Sequence, residues 1–273
     1  MSLPNSRYKY STYIIAFLDV LGFREMIQEN QDEKINQYFK ISKTVTARLR
    51  EIYIKKDIQF ISFSDSIVAF MKMDSSKRSQ GNQIKTKEFL IALSLLQAEL
   101  ALYNVWLRGG VSVGEMTFNE ESRTIFGPGF IRAYDLETKH AKFPRIILDQ
   151  NIISYLNFDS AHSLIQKINQ PTGSWNHRVL FHWRQNLSKF GSFQKDYPLF
   201  VDYLSQYFSH ENYTKLEVIA HNLNEASQKN PIAYEKFRWV ADYLAVSNKM
   251  AKAFGPTIEE ISNDDLSNKL ERF

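Results

Sequence analysis

The stretch FLDVLGF at residues 17–23 decides how this chain is read. It closes an apolar run, YIIAFLDV at 13–20, that is rich in β-branched and aliphatic residues and too short for a helix, so it predicts a buried strand ending on Asp19. A carboxylate withdrawn from water needs a cation or donors to compensate it. A second segment, FSDSIVAF at 63–70, repeats the pattern. Asp57–Phe63 and Ile67–Met73 predict two strands around Ser64-Asp65-Ser66, a hairpin whose turn presents Asp65. In a β-α-β-β unit the first strand lies beside that hairpin, which brings both carboxylates to one end of a sheet. Two such carboxylates are hard oxygen ligands, suited to Mg²⁺ or Mn²⁺ together with phosphates. Gly22 permits a tight turn whose backbone N–H groups can face a phosphate.

Outward from this pair, residues 32–54 carry apolar side chains at helical spacing with charges between them, and predict a long amphipathic helix. The polar stretch Asp74–Lys87 shows no core pattern and reads as a mobile loop. An apolar helix, Glu88–Tyr103, leads into the strand VWLRGGVSVGEM at 105–116, where Gly109-Gly110 marks a bulge or a close approach by other backbone or ligand. Thr117–Phe126 reads as a returning strand, Phe130–His140 as a helix, Arg145–Leu148 as a short strand, 198–204 as a late strand, and 211–228 and 231–253 as two helices. Tyr134 and the aromatic-rich stretch 173–208 read as core. The element order predicts an α+β fold with a ferredoxin-like β-α-β-β-α-β core, its mainly antiparallel sheet covered by helices. The division expected is a catalytic domain over 8–205 and a C-terminal helical extension over 206–273.

Composition narrows the chemistry. The 273 residues contain no cysteine, which excludes thiolate catalysis and Cys-based zinc, and the six histidines show no metal-binding spacing. No window approaches the ~20 consecutive apolar residues of a membrane span, so the expected location is the cytoplasm. With 34 basic against 30 acidic residues the chain suits anionic small ligands rather than direct nucleic-acid binding.

FLDVLGF, FSDSIVAF, LRGGVSVGEM and FGPGFIRAYDLE, in that order, resemble the class III nucleotidyl cyclase homology domain. Within it they are most similar to the bacterial pyrimidine cyclases of antiphage signalling, the Pycsar group. The resemblance covers roughly residues 13–150 and implies conversion of UTP to 3′,5′-cyclic UMP and pyrophosphate, or of CTP to cyclic CMP. It also implies two Mg²⁺ or Mn²⁺ ions per site, a head-to-tail homodimer, and a product read by a separate cyclic-nucleotide effector. By position it implies a metal site of Asp19, Val20 and Asp65, and substrate contacts from Gly22, Phe23, Ile61, Ser64 and Arg108. Arg108 corresponds to an arginine on the terminal phosphates.

Two departures qualify the match. Purine cyclases place a base-reading lysine where this chain has Ile61, and an asparagine and an arginine where it has Ile131 and Asp135. An aspartate cannot stabilise the charge of a pentacoordinate phosphate, so Arg132, Lys142 and Arg145 are the candidate catalytic cations beside Arg108. Two other classes stay open: a non-catalytic nucleotide-sensing cyclase-like domain, and a nucleic-acid-binding α+β domain. Asp19 as a helix cap, Asp65 as a plain turn residue and Arg108 as a sheet-edge cation are the structural alternatives.

Overall fold

The computed structural model describes residues 9–53, 58–75, 80–172, 175–182, 199–208, 212–229 and 231–254. The chain runs β1 (Ser11–Val20), α1 (Phe23–Gln28), α2 (Asp32–Tyr53), β2 (Gln59–Phe63), β3 (Ser66–Lys72) and α3 (Gln80–Ala101). It continues through β4 (Leu107–Asn119), β5 (Thr124–Phe126), α4 (Pro128–His140), β6 (Ile146–Leu148), α5 (Asn151–Tyr155) and α6 (Ala161–Ile168). The last elements are β7 (Leu180–His182), β8 (Leu199–Val201), α7 (Tyr213–Ser227) and α8 (Pro231–Phe254). The strands form one sheet in the order β2-β3-β1-β4-β6-β8-β7, with β5 also pairing β4. Among the described pairs β4–β6 is parallel and the others are antiparallel, so the α+β expectation holds.

Strand alternation sorts the apolar residues onto two faces. Ile14, Ala16 and Leu18 of β1, with Ile67, Ala69 and Met71 of β3, enter the main core beneath α2 and α3. Ile15 and Phe17, with Val68 and Phe70, turn to the other face, where Ala133 of α4 meets them. On that face β4 offers Gly110 and Gly114 to α4. A Cβ on Gly110 would lie 2.4 Å from Leu136 Cβ, and one on Gly114 2.9 Å from Gly129 Cα. Gly110 therefore marks a close helix-on-sheet approach, while a Cβ on Gly109 would meet Leu18 Cδ2 of β1 at 2.5 Å. Farther along the sheet, α8 covers Phe181 and Phe200 with Trp239 and Tyr243, so the C-terminal helices share a core with the strands.

Three expectations are corrected. Residues 80–87, expected in a loop, are the first two turns of α3. Their order comes from distant partners: Asn82 Oδ1 accepts from the Asp74 N–H at 2.8 Å, and Lys87 donates to the Gln170 carbonyl and to Thr172 Oγ1. β4 runs unbroken through Asn119, so only Thr124–Phe126 returns as a strand. Tyr134 is 45 % exposed, packing one edge on Phe17, whereas Phe181, Phe200, Tyr203 and Tyr207 are core as expected. The expected strand start at Asp57 and the stretch 183–198 lie outside the described residues.

Candidate active site

β1 is the frame of the site. Its last residues are pinned on both sides: the Val20 N–H donates to the Asp65 carbonyl at 3.1 Å, and the Leu21 N–H to the Trp106 carbonyl at 2.8 Å. Asp19 pairs across the sheet with Ser66 of β3 on one side and Arg108 of β4 on the other. The hairpin between β2 and β3 is a two-residue turn, with Ser64 in the left-handed region at φ 54°. That turn sets Asp65 beside Asp19, as the hairpin reading expects. Immediately beyond, Gly22 adopts φ 78°, a conformation that L side chains rarely take, and opens α1.

Arg108 is held by two carboxylates. Its Nε and Nη2 donate to Asp19 Oδ2 at 3.1 and 3.0 Å, and its Nε lies 2.9 Å from Glu137 Oε1. Glu137 was not among the residues the sequence singled out. It belongs to α4, and the Gly110 contact that lets this helix approach the sheet also sinks it, leaving its side chain 3 % exposed. Burial first, and then the nearby charges of Asp19 and Asp65, push its carboxyl up to about 7 against the pull of Arg108. Asp19 is also raised, by burial and by Asp65, although Arg108 opposes the shift.

Two carboxylates thus share one guanidinium, and a third, Asp65, stands close enough to Asp19 to raise its pKa. This donor set fits a hard divalent cation near Asp19 and Asp65. Among the described residues no group of three or more His, Asp or Glu is arranged to hold an ion by itself, so ligands from a bound phosphate would complete the shell.

The other predicted residues are placed differently. Phe23 is buried against Tyr38 and Phe39, with ring centroids at 5.7 and 6.1 Å. Ile61 is half-buried on β2 and packs on the cluster containing Phe17, and Ser64 is exposed at the turn. Arg132 is exposed on α4 and ion-paired with the buried Asp149. Lys142 is exposed, and Ile131 is 58 % exposed. Arg145 is 1 % exposed, its guanidinium stacked among Phe143, Phe200 and Trp239 at 4.9 to 5.6 Å from their ring centroids. Within the chain, then, Asp19, Val20, Asp65 and Arg108 come together, and Arg132 and Arg145 are engaged elsewhere.

No family model and no curated protein matches the chain by sequence. Solved structures do resemble it. The adenylyl cyclase CyaB from P. aeruginosa is 19% identical, over 55% of this chain and 83% of its own, with a TM-score of 0.39. The guanylyl cyclase Cya2 is 11% identical over 72% of this chain and 92% of its own, also at 0.39. The monomeric guanylyl cyclase domain of the RhoGC fusion protein from Blastocladiella emersonii is 10% identical over 55% and 88%, at 0.41. At such scores and identities these likenesses carry no inference about chemistry. Among the described residues no helix is long and apolar enough to cross a membrane.

Proposed function

We propose that this chain is a nucleotidyl cyclase that converts UTP to 3′,5′-cyclic UMP and pyrophosphate, acting in the cytoplasm as a second-messenger synthase in antiphage defence. The observation that carries this reading is the convergence of Asp19 and Asp65 at one end of the sheet, where Arg108 is the cation bound to Asp19 and is shared with Glu137. The order of the four motifs supports it.

In the reaction the ribose 3′-oxygen bonds to the α-phosphorus as the bond to pyrophosphate breaks. Two Mg²⁺ or Mn²⁺ ions, held by Asp19 and Asp65 with Val20 between them, would lower the pKa of the 3′-hydroxyl and neutralise the leaving phosphates. Arg108 orients the terminal phosphates. Glu137 holds its Nε side, which would keep the guanidinium aimed across the site with Asp19 engaged by metal. Gly22 brings backbone close to the triphosphate at the start of α1.

The active form is a head-to-tail homodimer with two composite sites. Phe63, Ile131 and Tyr134, each exposed near the carboxylate cluster, offer an apolar rim for pairing. Arg132 or Lys142 of the partner subunit then supplies the transition-state cation. To do so Arg132 would have to leave Asp149, and Arg145 its aromatic stack.

A second reading is a non-catalytic nucleotide sensor. It is favoured by Asp135, which stands where an arginine is expected and spends its charge on Lys139 at 3.0 Å. Incubating the protein with each of the four ribonucleoside triphosphates and Mn²⁺, and assaying cyclic product and pyrophosphate, separates these readings. Cyclic UMP supports the proposal and cyclic CMP reassigns the base. Binding without product selects the sensor.

A further inference from the structure

On the α2–α3 side of the sheet lies an open cavity of about 620 Å³ between α2, α3, the Trp175–His177 segment and the start of α7. That volume is typical of small-molecule sites. Its mouth is basic. Lys40 and Arg48 stand two turns apart on α2, and Lys215 faces them from α7, its ammonium 5.1 Å from the centre of the Tyr207 ring. None of these three side chains is held in an ion pair among the described residues.

Aromatic rings line the walls. Tyr103, Trp175 and Tyr207 contribute rings. Trp175 Nε1 is buried without a hydrogen bond, whereas the Tyr207 hydroxyl, also buried, has the Glu99 carboxylate beside it. Leaving a buried donor unmade is costly, so the indole N–H marks where a ligand's acceptor belongs. One carboxylate, Glu99, lines the same wall, close enough to reinforce the burial that raises the Tyr207 pKa. It offers an acceptor for a ring N–H or an exocyclic amine. A planar heterocycle with both donors and acceptors, carrying an anionic group, matches the walls and the mouth together.

We propose that this cavity is a second nucleotide site, taking a nucleoside monophosphate with its base against Trp175, Tyr207 and Glu99 and its phosphate at Lys40, Arg48 and Lys215. It does not depend on the reading of the carboxylate cluster, none of whose residues lines it. The helix in its wall also touches that cluster's frame: Gln97 of α3 donates to the carbonyl of Leu107, the residue before Arg108, at 3.1 Å.

Equilibrium dialysis of the full chain against each of the four labelled nucleoside 5′-monophosphates, in EDTA so that metal-dependent binding is silent, tests the proposal. One or more should bind, with the nucleoside alone and inorganic phosphate each about ten-fold weaker. The double variant Lys40→Glu with Arg48→Glu, on the surface of α2, should keep its melting temperature and lose about ten-fold or more in affinity. Trp175→Phe keeps a ring and deletes the donor, and should weaken binding several-fold. Asp65→Ala should bind as the parent does. Failure of all four monophosphates to bind below about 1 mM overturns the proposal. So does affinity unchanged by the double charge reversal, or binding that disappears with Asp65→Ala.

Discussion

Asp19 and Asp202 are both carboxylates drawn into the protein beside a single arginine, and they differ in what else they receive. Asp202 is wholly buried, and both of its oxygens are used. Oδ2 accepts from Arg178 Nε at 2.9 Å, while Oδ1 accepts from the Tyr243 hydroxyl at 2.6 Å and the Ser205 N–H at 3.0 Å. At Asp19 both donors come from Arg108 and fall on the same oxygen, that arginine is shared with Glu137, and the remaining neighbour is another carboxylate. Asp202 is also the more deeply buried, at 0 % against 18 % for the Asp19 side chain, yet it has the fuller set of partners. The count of compensating donors separates the two sites. A filled carboxylate ties together strands and helices, whereas one left short of positive charge marks a place for a further cation.

The comparison breaks first at Asp65. Asp65→Ala is expected to cut cyclic-product formation about 10³-fold, the scale of losing a group that stabilises transition-state charge. Its melting temperature without metal should hold or rise, because a repelling neighbour of Asp19 has gone. A large fall in melting temperature would put Asp65 with Asp202 among the structural carboxylates.

Asp202→Ala is the converse case. Removing it strands Arg178 and Tyr243 without their partner, and denaturant titration should show a loss of about 3–5 kcal/mol. The folded fraction should retain its catalytic constants. Selective loss of kcat with unchanged stability would show that the two carboxylates had been sorted wrongly.

Arg108→Ala sharpens the division within the site. A phosphate clamp serves ground state and transition state alike, so KM for the triphosphate should rise about ten-fold with little change in kcat. Steady-state kinetics that leave KM unmoved would confine Arg108 to pairing with Asp19 and Glu137.

The smallest effect is a pH slope. Glu137 carries a folded-state pKa raised to about 7 from its ordinary 4.5, so the folded protein holds a proton that the unfolded chain has released. Stability of the metal-free protein should therefore fall as pH rises between those values and level off above the upper one. Glu137→Gln should remove most of this slope and leave the protein about 1–2 kcal/mol more stable than the parent at about pH 8. Urea melts at about pH 5 and about pH 8 measure it. An unchanged slope would assign the linkage to other groups, with Asp19, also raised, the first to examine.

Much of the frame is legible in the sequence because its signals are local. A β-branched run ending on Asp19 and a Ser-Asp turn between two short apolar segments specify a strand and a hairpin from neighbours in the chain, and Arg108 falls on the next strand by the same alternation. The first turns of α3 are illegible for the opposite reason. Asn82 and Lys87 are ordered by Asp74 and by Gln170 and Thr172, partners that no periodicity within 80–87 reveals. The short α5, α6 and β7 likewise owe their burial to the sheet above them, and their sequences are too brief to show a period of their own.

By itself the sequence determined the strands that frame the site and which carboxylates end them, since strand propensity, alternation and turn chemistry act between near neighbours. Only the tertiary structure decided the electrostatic balance of the site. Glu137 is one more acidic residue on an amphipathic helix until Gly110, by lacking a side chain, lets that helix settle onto β4 and carries the carboxylate out of water to Arg108. Arg145 is one more basic residue until three aromatic rings close over it. Desolvation is set by what packs around a charge from all directions, and those neighbours are chosen by the fold.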